Sequence, residues 1–174
     1  LGLSALEQST GDNSTAVGYQ ALAALTSGAG NIAVGYQAMS THVDGDRNIA
    51  IGFQAMSDTN AGSTVDGSVD NIFMGYRAGN GTWADAVSNY NTAIGNYTLD
   101  AAMNGATSNV AVGFTAASAV TEGDFNICVG AVSGGAITTG TKNICIGHST
   151  DVSASGSTSQ IVIGYDVTGT ADNA

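Results

Sequence analysis

The chain alternates apolar and small residues in short bursts, and the bursts recur. NIAVGYQAM (31–39) returns as NIAIGFQAM (48–56), NIFMGYRAG (71–79), NTAIGNYTL (91–99) and NVAVGFTAA (109–117). The glycine of each phrase is an anchor: Gly2, Gly18, Gly35, Gly52, Gly75, Gly95, Gly113, Gly130, Gly147 and Gly164, at intervals of 16, 17, 17, 23, 20, 18, 17, 17 and 17. Just before the anchor stands a column of large aliphatic residues, Val17, Val34, Ile51, Met74, Ile94, Val112, Val129, Ile146 and Ile163. Two residues earlier lies a second, Thr15, Ile32, Ile49, Ile72, Thr92, Val110, Ile127, Ile144 and Ile161. Between them runs a mostly small column: Ala16, Ala33, Ala50, Phe73, Ala93, Ala111, Cys128, Cys145 and Val162. Strict period two predicts a short strand with large residues on one face and small ones on the other.

One residue further back stands an amide column, Asn31, Asn48, Asn71, Asn91, Asn109, Asn126 and Asn143, with Gln160 in the last copy. Amides one rung apart donate and accept along the stack. A broken aromatic column follows the anchor: Tyr19, Tyr36, Phe53, Tyr76, Phe114 and Tyr165. Second glycines at Gly28, Gly45, Gly105, Gly123 and Gly140 predict two corners, hence two short segments per coil. Glycines and β-branched columns oppose a helix, and about 17 residues are too few for a βαβ unit. The expectation is an all-β chain, a single repetitive β-solenoid or β-roll over 1–174 with about ten coils and a section of a longer protein. Coils stacked at ~4.8 Å make a rod of roughly 45 Å.

Both strand faces are apolar, and one coil buries only one of them. The small column is expected to line the shared axis of a parallel homo-oligomer, with the large residues inside the coil. Hydrophobic residues make up 43% of the chain but aromatics only 6%, which suits thin layers rather than one thick core. The net charge of −11, from 3 basic and 14 acidic residues, argues against nucleic acid and anionic membranes as partners. No stretch reaches the ~18 apolar residues of a membrane span.

The phrases NSTAVG (13–18), NIAVGYQAM, NTAIG (91–95) and NVAVG resemble the head repeats of trimeric autotransporter adhesins and, more closely in wording, the repetitive shaft of trimeric phage tail fibres. The resemblance implies a left-handed parallel β-roll and a homotrimer. It further implies a structural and host-recognition role in a virion, outside the cell, or alternatively in the head domain of a bacterial surface adhesin. The adhesin repeat is nearer fourteen residues, so this chain departs from it in period.

The long intervals add two loops, 57–70 and 79–90, predicted to form one raised collar. It contains Trp83, Asp85, Asn89 and Tyr90, chemistry suited to a cell-surface glycan or protein receptor. Packing of Trp83 against its own loop or a second subunit is the competing expectation. The turns Asp44-Gly45-Asp46, Asp66/Asp70 and Glu122-Gly123-Asp124 read as solvated, without the pattern of a Ca²⁺ loop. His42 and His148 stand alone, so no metal site is expected. Cys128 and Cys145 share a column and read as buried free thiols. Neither G-x-S-x-G nor H-E-x-x-H occurs and the carboxylates are scattered, so no catalytic residue, enzyme activity or cofactor is assigned.

Overall fold

The computed structural model describes residues 2–8, 13–59, 67–84 and 86–172. Nine three-residue strands form one parallel sheet in chain order: β1 (Thr15–Val17), β2 (Ile32–Val34), β3 (Ile49–Ile51), β4 (Ile72–Met74), β5 (Thr92–Ile94), β6 (Val110–Val112), β7 (Ile127–Val129), β8 (Ile144–Ile146) and β9 (Ile161–Ile163). Each residue pairs with its column neighbour, as Ala33 with Ala50 and Cys128 with Cys145. The fold is a parallel β-solenoid of about eight turns, with no helix among the described residues. Ten anchor glycines thus accompany nine strands among the described residues. Eight steps of ~4.8 Å span roughly 38 Å.

The second segment expected in each coil is not a strand. Beyond the anchor the coils run through turns joined by parallel cross-coil bonds, such as Gln37 N–H to Tyr19 C=O (2.8 Å), with isolated bridges among the described residues only at Thr141–Thr158 and Asp151–Thr168. The residue two after each anchor holds a left-handed φ even where it is β-branched, 51° at Thr115 and 60° at Val132. Period two cannot persist through such a turn. Glycine is required at the anchor itself: at Gly52, φ is 142° and an added Cβ would overlap the Gly75 carbonyl.

The face assignment is reversed from the sequence expectation. Ala33, Ala50, Phe73, Ala93, Ala111, Cys128 and Cys145 are fully buried inside the coil of a single chain, with Val162 nearly so and Ala16 packed against them. They do not line an external axis. The opposite wall fills the interior with Leu22, Leu25, Met39, Met56, Trp83, Leu99 and Met103, leaving room for only small residues on the strand wall. Where one wall swells, the other shrinks. Phe73 occupies the space a Cβ on Gly79 would need, and Cys128 that of Gly134. Cys128 and Cys145 are free and buried; hydrogen bonding with Cys145, then burial, pushes the Cys128 thiol up and keeps it protonated.

The amide column is buried and continuous. From Asn31 to Asn126, each Oδ1 accepts two bonds from the next coil, one from its backbone N–H at 2.9–3.1 Å and one from its Nδ2 at 3.0–3.2 Å. Each Nδ2 also donates to a turn carbonyl at the end of its own coil, Gly45, Ser68, Ser88, Ala106, Gly123, Gly140 or Ser157, at 2.6–2.8 Å. His42 sits beside this ladder, fully buried. Its Nε2 lies 3.1 Å from Asn48 Nδ2 and its Nδ1 3.0 Å from Thr59 Oγ1. Burial pushes its pKa down to about 4, against the Gly45 carbonyl and the charges of Asp44 and Asp46.

Two outcomes are expected. Asn109→Ala leaves the Asn126 N–H, one of the two Asn126 Nδ2 hydrogens and the Gly123 carbonyl unpaired. It should cost about 4 kcal/mol, read from urea midpoints at fixed protein concentration, against less than about 1 kcal/mol for Asn104→Ala on a turn. For His42, the unfolded chain takes up a proton between pH 6.5 and 4 that the folded chain refuses. Stability therefore falls as pH falls through that window, by about 2–3 kcal/mol between pH 7 and 4.5. His42→Leu, which places at this position the residue type Leu25 supplies one coil earlier, should flatten the pH dependence by that amount.

Candidate interaction face

With the small column inside, period two turns the large columns outward. Ile32, Ile94, Ile127 and Ile146 stand exposed, as do Val17, Met74, Val129, Ile161 and Ile163. Val34, Ile49, Ile51, Ile72, Val110, Val112 and Ile144 are half-buried by their rung neighbours alone. The residue after each anchor continues this face. Tyr19, Tyr36, Phe53 and Tyr76 stack with centroids 5.0–5.3 Å apart and planes within 15° of parallel, and each ring remains about 40% exposed. Beside them Gln54, Gln37 and Gln20 form a second amide ladder, Nε2 to Oε1, at 3.0 and 2.9 Å.

Five residue positions at ~3.3 Å by nine rungs at ~4.8 Å outline on the order of 700 Å². That exceeds the 300–600 Å² of the largest patch on a typical monomer and approaches the roughly 800 Å² that one partner contributes to a specific interface. None of the three outward columns of nine contains Asp, Glu, Lys or Arg. The charge lies on the turns and is used there. Asp46 Oδ1 accepts the Ala29 N–H at 2.8 Å, and Asp124 Oδ1 accepts the Thr107 N–H at 2.7 Å and its hydroxyl at 2.9 Å. Asp44 accepts from Thr26 and Ser27, and Asp70 is held bidentate by Arg47 at 2.7 and 2.8 Å, which lowers its pKa. The acidic turns are thus cross-coil caps, with Asp66 outside the described residues. Among the described residues no three His, Cys, Asp or Glu converge as metal ligands, and no helix is long and apolar enough to cross a membrane.

The collar residues separate. Trp83 is 1% exposed, its ring 5.6 Å from Phe73, and its Nε1 donates to the Gly79 carbonyl at 3.2 Å. It is a core residue and not a receptor contact. The glycine that makes space for Phe73 leaves the inner wall short, and the indole completes it. Asn89 Oδ1 accepts the Val69 N–H at 2.7 Å, the same capping role as Asp46 and Asp124. Asp85 lies outside the described residues. Tyr90 stands 59% exposed. The two insertions do meet: Trp83 N–H reaches the Asp58 carbonyl at 3.0 Å and Thr82 Oγ1 the Asp58 carboxylate at 2.6 Å.

The outward columns were visible in the sequence as columns, but their direction was not. The signal that settles it is the Leu22, Met39, Met56 and Leu99 series four residues after the anchor, large enough to fill a coil without help from the isoleucines. Trp83→Ala should destabilise the fold by about 3–5 kcal/mol, whereas Tyr90→Ala should stay within about 0.5 kcal/mol, both read from urea midpoints.

No protein-family model, no curated protein and no solved structure matches this chain.

Proposed function

We propose that this chain is a shaft segment of a homotrimeric fibre, a rigid β-solenoid that holds a recognition element at a distance from the particle that carries it. The observation behind this reading is the uncharged apolar face running the full length of a single chain of charge −11. Water at that face is unfavourable along most of its rungs, and a flat strand wall accepts another flat wall more readily than an irregular ligand. Three copies around one axis cover all three faces and leave the charged turns outside. That arrangement keeps a heavily charged rod soluble. The threefold count, the left-handed coil and the place in a viral tail fibre come from the resemblance of the repeat. Recognition of a cell-surface glycan or protein falls to parts the shaft carries, with Tyr90 the exposed aromatic beside the insertion.

The axis in this reading is lined by the large columns rather than the small one, and substitution separates the two faces. Wild-type chain should sediment at about 52 kDa, three times 17.2 kDa. Val112→Arg, on the outward face, should give a folded 17 kDa chain with the wild-type far-ultraviolet spectrum. Ala93→Arg, inside the coil, should abolish the fold itself. A monodisperse wild-type monomer, or a Val112→Arg chain that still assembles, rejects the reading.

A further inference from the structure

The outward face has one double interruption, at its middle. In the fifth of nine coils Thr92 stands where other coils carry Ile49 or Val110, and Asn96 where they carry Tyr76 or Phe114. Ile94 between them keeps the aliphatic type and is exposed. No other coil places short polar side chains at two of its three face positions. Asn96 Oδ1 accepts the Tyr76 N–H at 2.9 Å, while Asn96 Nδ2 and Thr92 Oγ1 have no hydrogen-bond partner among the described residues. The ring ladder breaks at the same level. Tyr97 leans in from the neighbouring column, edge-on to Tyr76 at 70° and to Phe114 at 90°.

In a lone chain water satisfies both groups. When a copy covers the face, water leaves, and an amide or hydroxyl without a partner is penalised. Whether a partner is present depends on alignment. With fifth coil level with fifth coil, each copy brings a free amide N–H and a free hydroxyl to the same height. Shifted by one coil, those groups meet Ile72 and the Tyr76 ring on one side, or Val110 and Phe114 on the other. A face that repeats every ~4.8 Å otherwise invites slippage at each rung.

We infer that Thr92 and Asn96 are the register key of the assembly, so that copies of this chain associate with their polar fifth coils level. The inference rests on the oligomeric reading given above and names the partner that face selects. The occupant is a second copy for three reasons. The face carries no charge, so an acidic copy meets it without like-charge contact. Its extent, on the order of 700 Å², matches one side of a stable interface. The polar pair is satisfied by a partner presenting the same pair at the same height, as a single buried Asn aligns helices in a coiled coil.

The test moves the key. One chain carries Thr92→Ile, Asn96→Phe, Val110→Thr and Phe114→Asn, placing the pair on the sixth coil. A second carries Thr92→Ile, Asn96→Tyr, Ile72→Thr and Tyr76→Asn, placing it on the fourth. Every substitution lies on the outward face and uses a residue type of that column or of the key. Parent and shifted chains with different mass tags are refolded together and counted by native mass spectrometry. Each is expected to assemble alone, with mixed oligomers at a tenth or less of the random proportion. Mixing at the random proportion, or failure of both shifted chains to assemble alone, overturns the key. A monomeric parent overturns instead the oligomeric reading beneath it.

Discussion

A carboxamide offers two lone-pair directions and two hydrogens, and in a dry interior all of them need partners. The buried asparagine column provides them in one repeating scheme. Each Oδ1 takes the backbone N–H and the Nδ2 of the next coil, while each Nδ2 gives one hydrogen up the ladder and one to the turn that closes its own coil. The ladder fixes the spacing between coils and the closure of each coil with the same atoms. This explains why Asn persists while neighbouring columns exchange Val, Ile, Met and Thr. Gln160 shows the alternative: its backbone N–H still binds Asn143 Oδ1 at 3.0 Å, but its longer side chain turns to Ser153 and Asp172. Closure also survives changes of coil length. The amide reaches a carbonyl 14 residues on in regular coils, and 20, 17 or 15 residues on where the coil is longer. Insertions are therefore tolerated beyond the ladder rather than within it.

Coils held this close enclose a narrow interior with a fixed capacity. Large residues on one wall require small ones on the other, and the chain trades volume coil by coil: alanine against leucine or methionine, Phe73 against Gly79 with Trp83, Cys128 against Gly134. Overfilling such a space strains rotamers and backbone, and underfilling leaves a void. The isoleucines and valines of the strands have no room inside. They go out, and with the stacked rings they make an apolar wall that water covers poorly.

Charge follows the same division. Carboxylates sit at turns, where Asp46 and Asp124 cap backbone N–H groups of the preceding coil, and the three outward columns have none. An acidic rod with a neutral seam suits association along that seam and repulsion elsewhere. The fibre reading rests on this distribution. His42 departs from the pattern as a titratable group within the core, neutral because burial disfavours its charged form.

The period, the strand positions, the parallel stacking and the amide ladder are all legible in the residues alone. Each coil repeats the same local chemistry, so its neighbours form a record of which positions must match. The shared column of Cys128 and Cys145 is legible there as well. Which strand face is inside emerges only from the packed coils. Alternation says that two faces differ, but when both are apolar it carries no sign, and the answer depends on what the opposite wall contributes. The same cause moved Trp83 from a surface loop to the core, because its place depends on the space left by Gly79 and Phe73 rather than on its own surroundings in sequence. The turn after each anchor was hidden as well. Its left-handed residues, Gln20, Thr115 and Val132 among them, are held by bonds to other coils, and those bonds exist only once the coils have stacked.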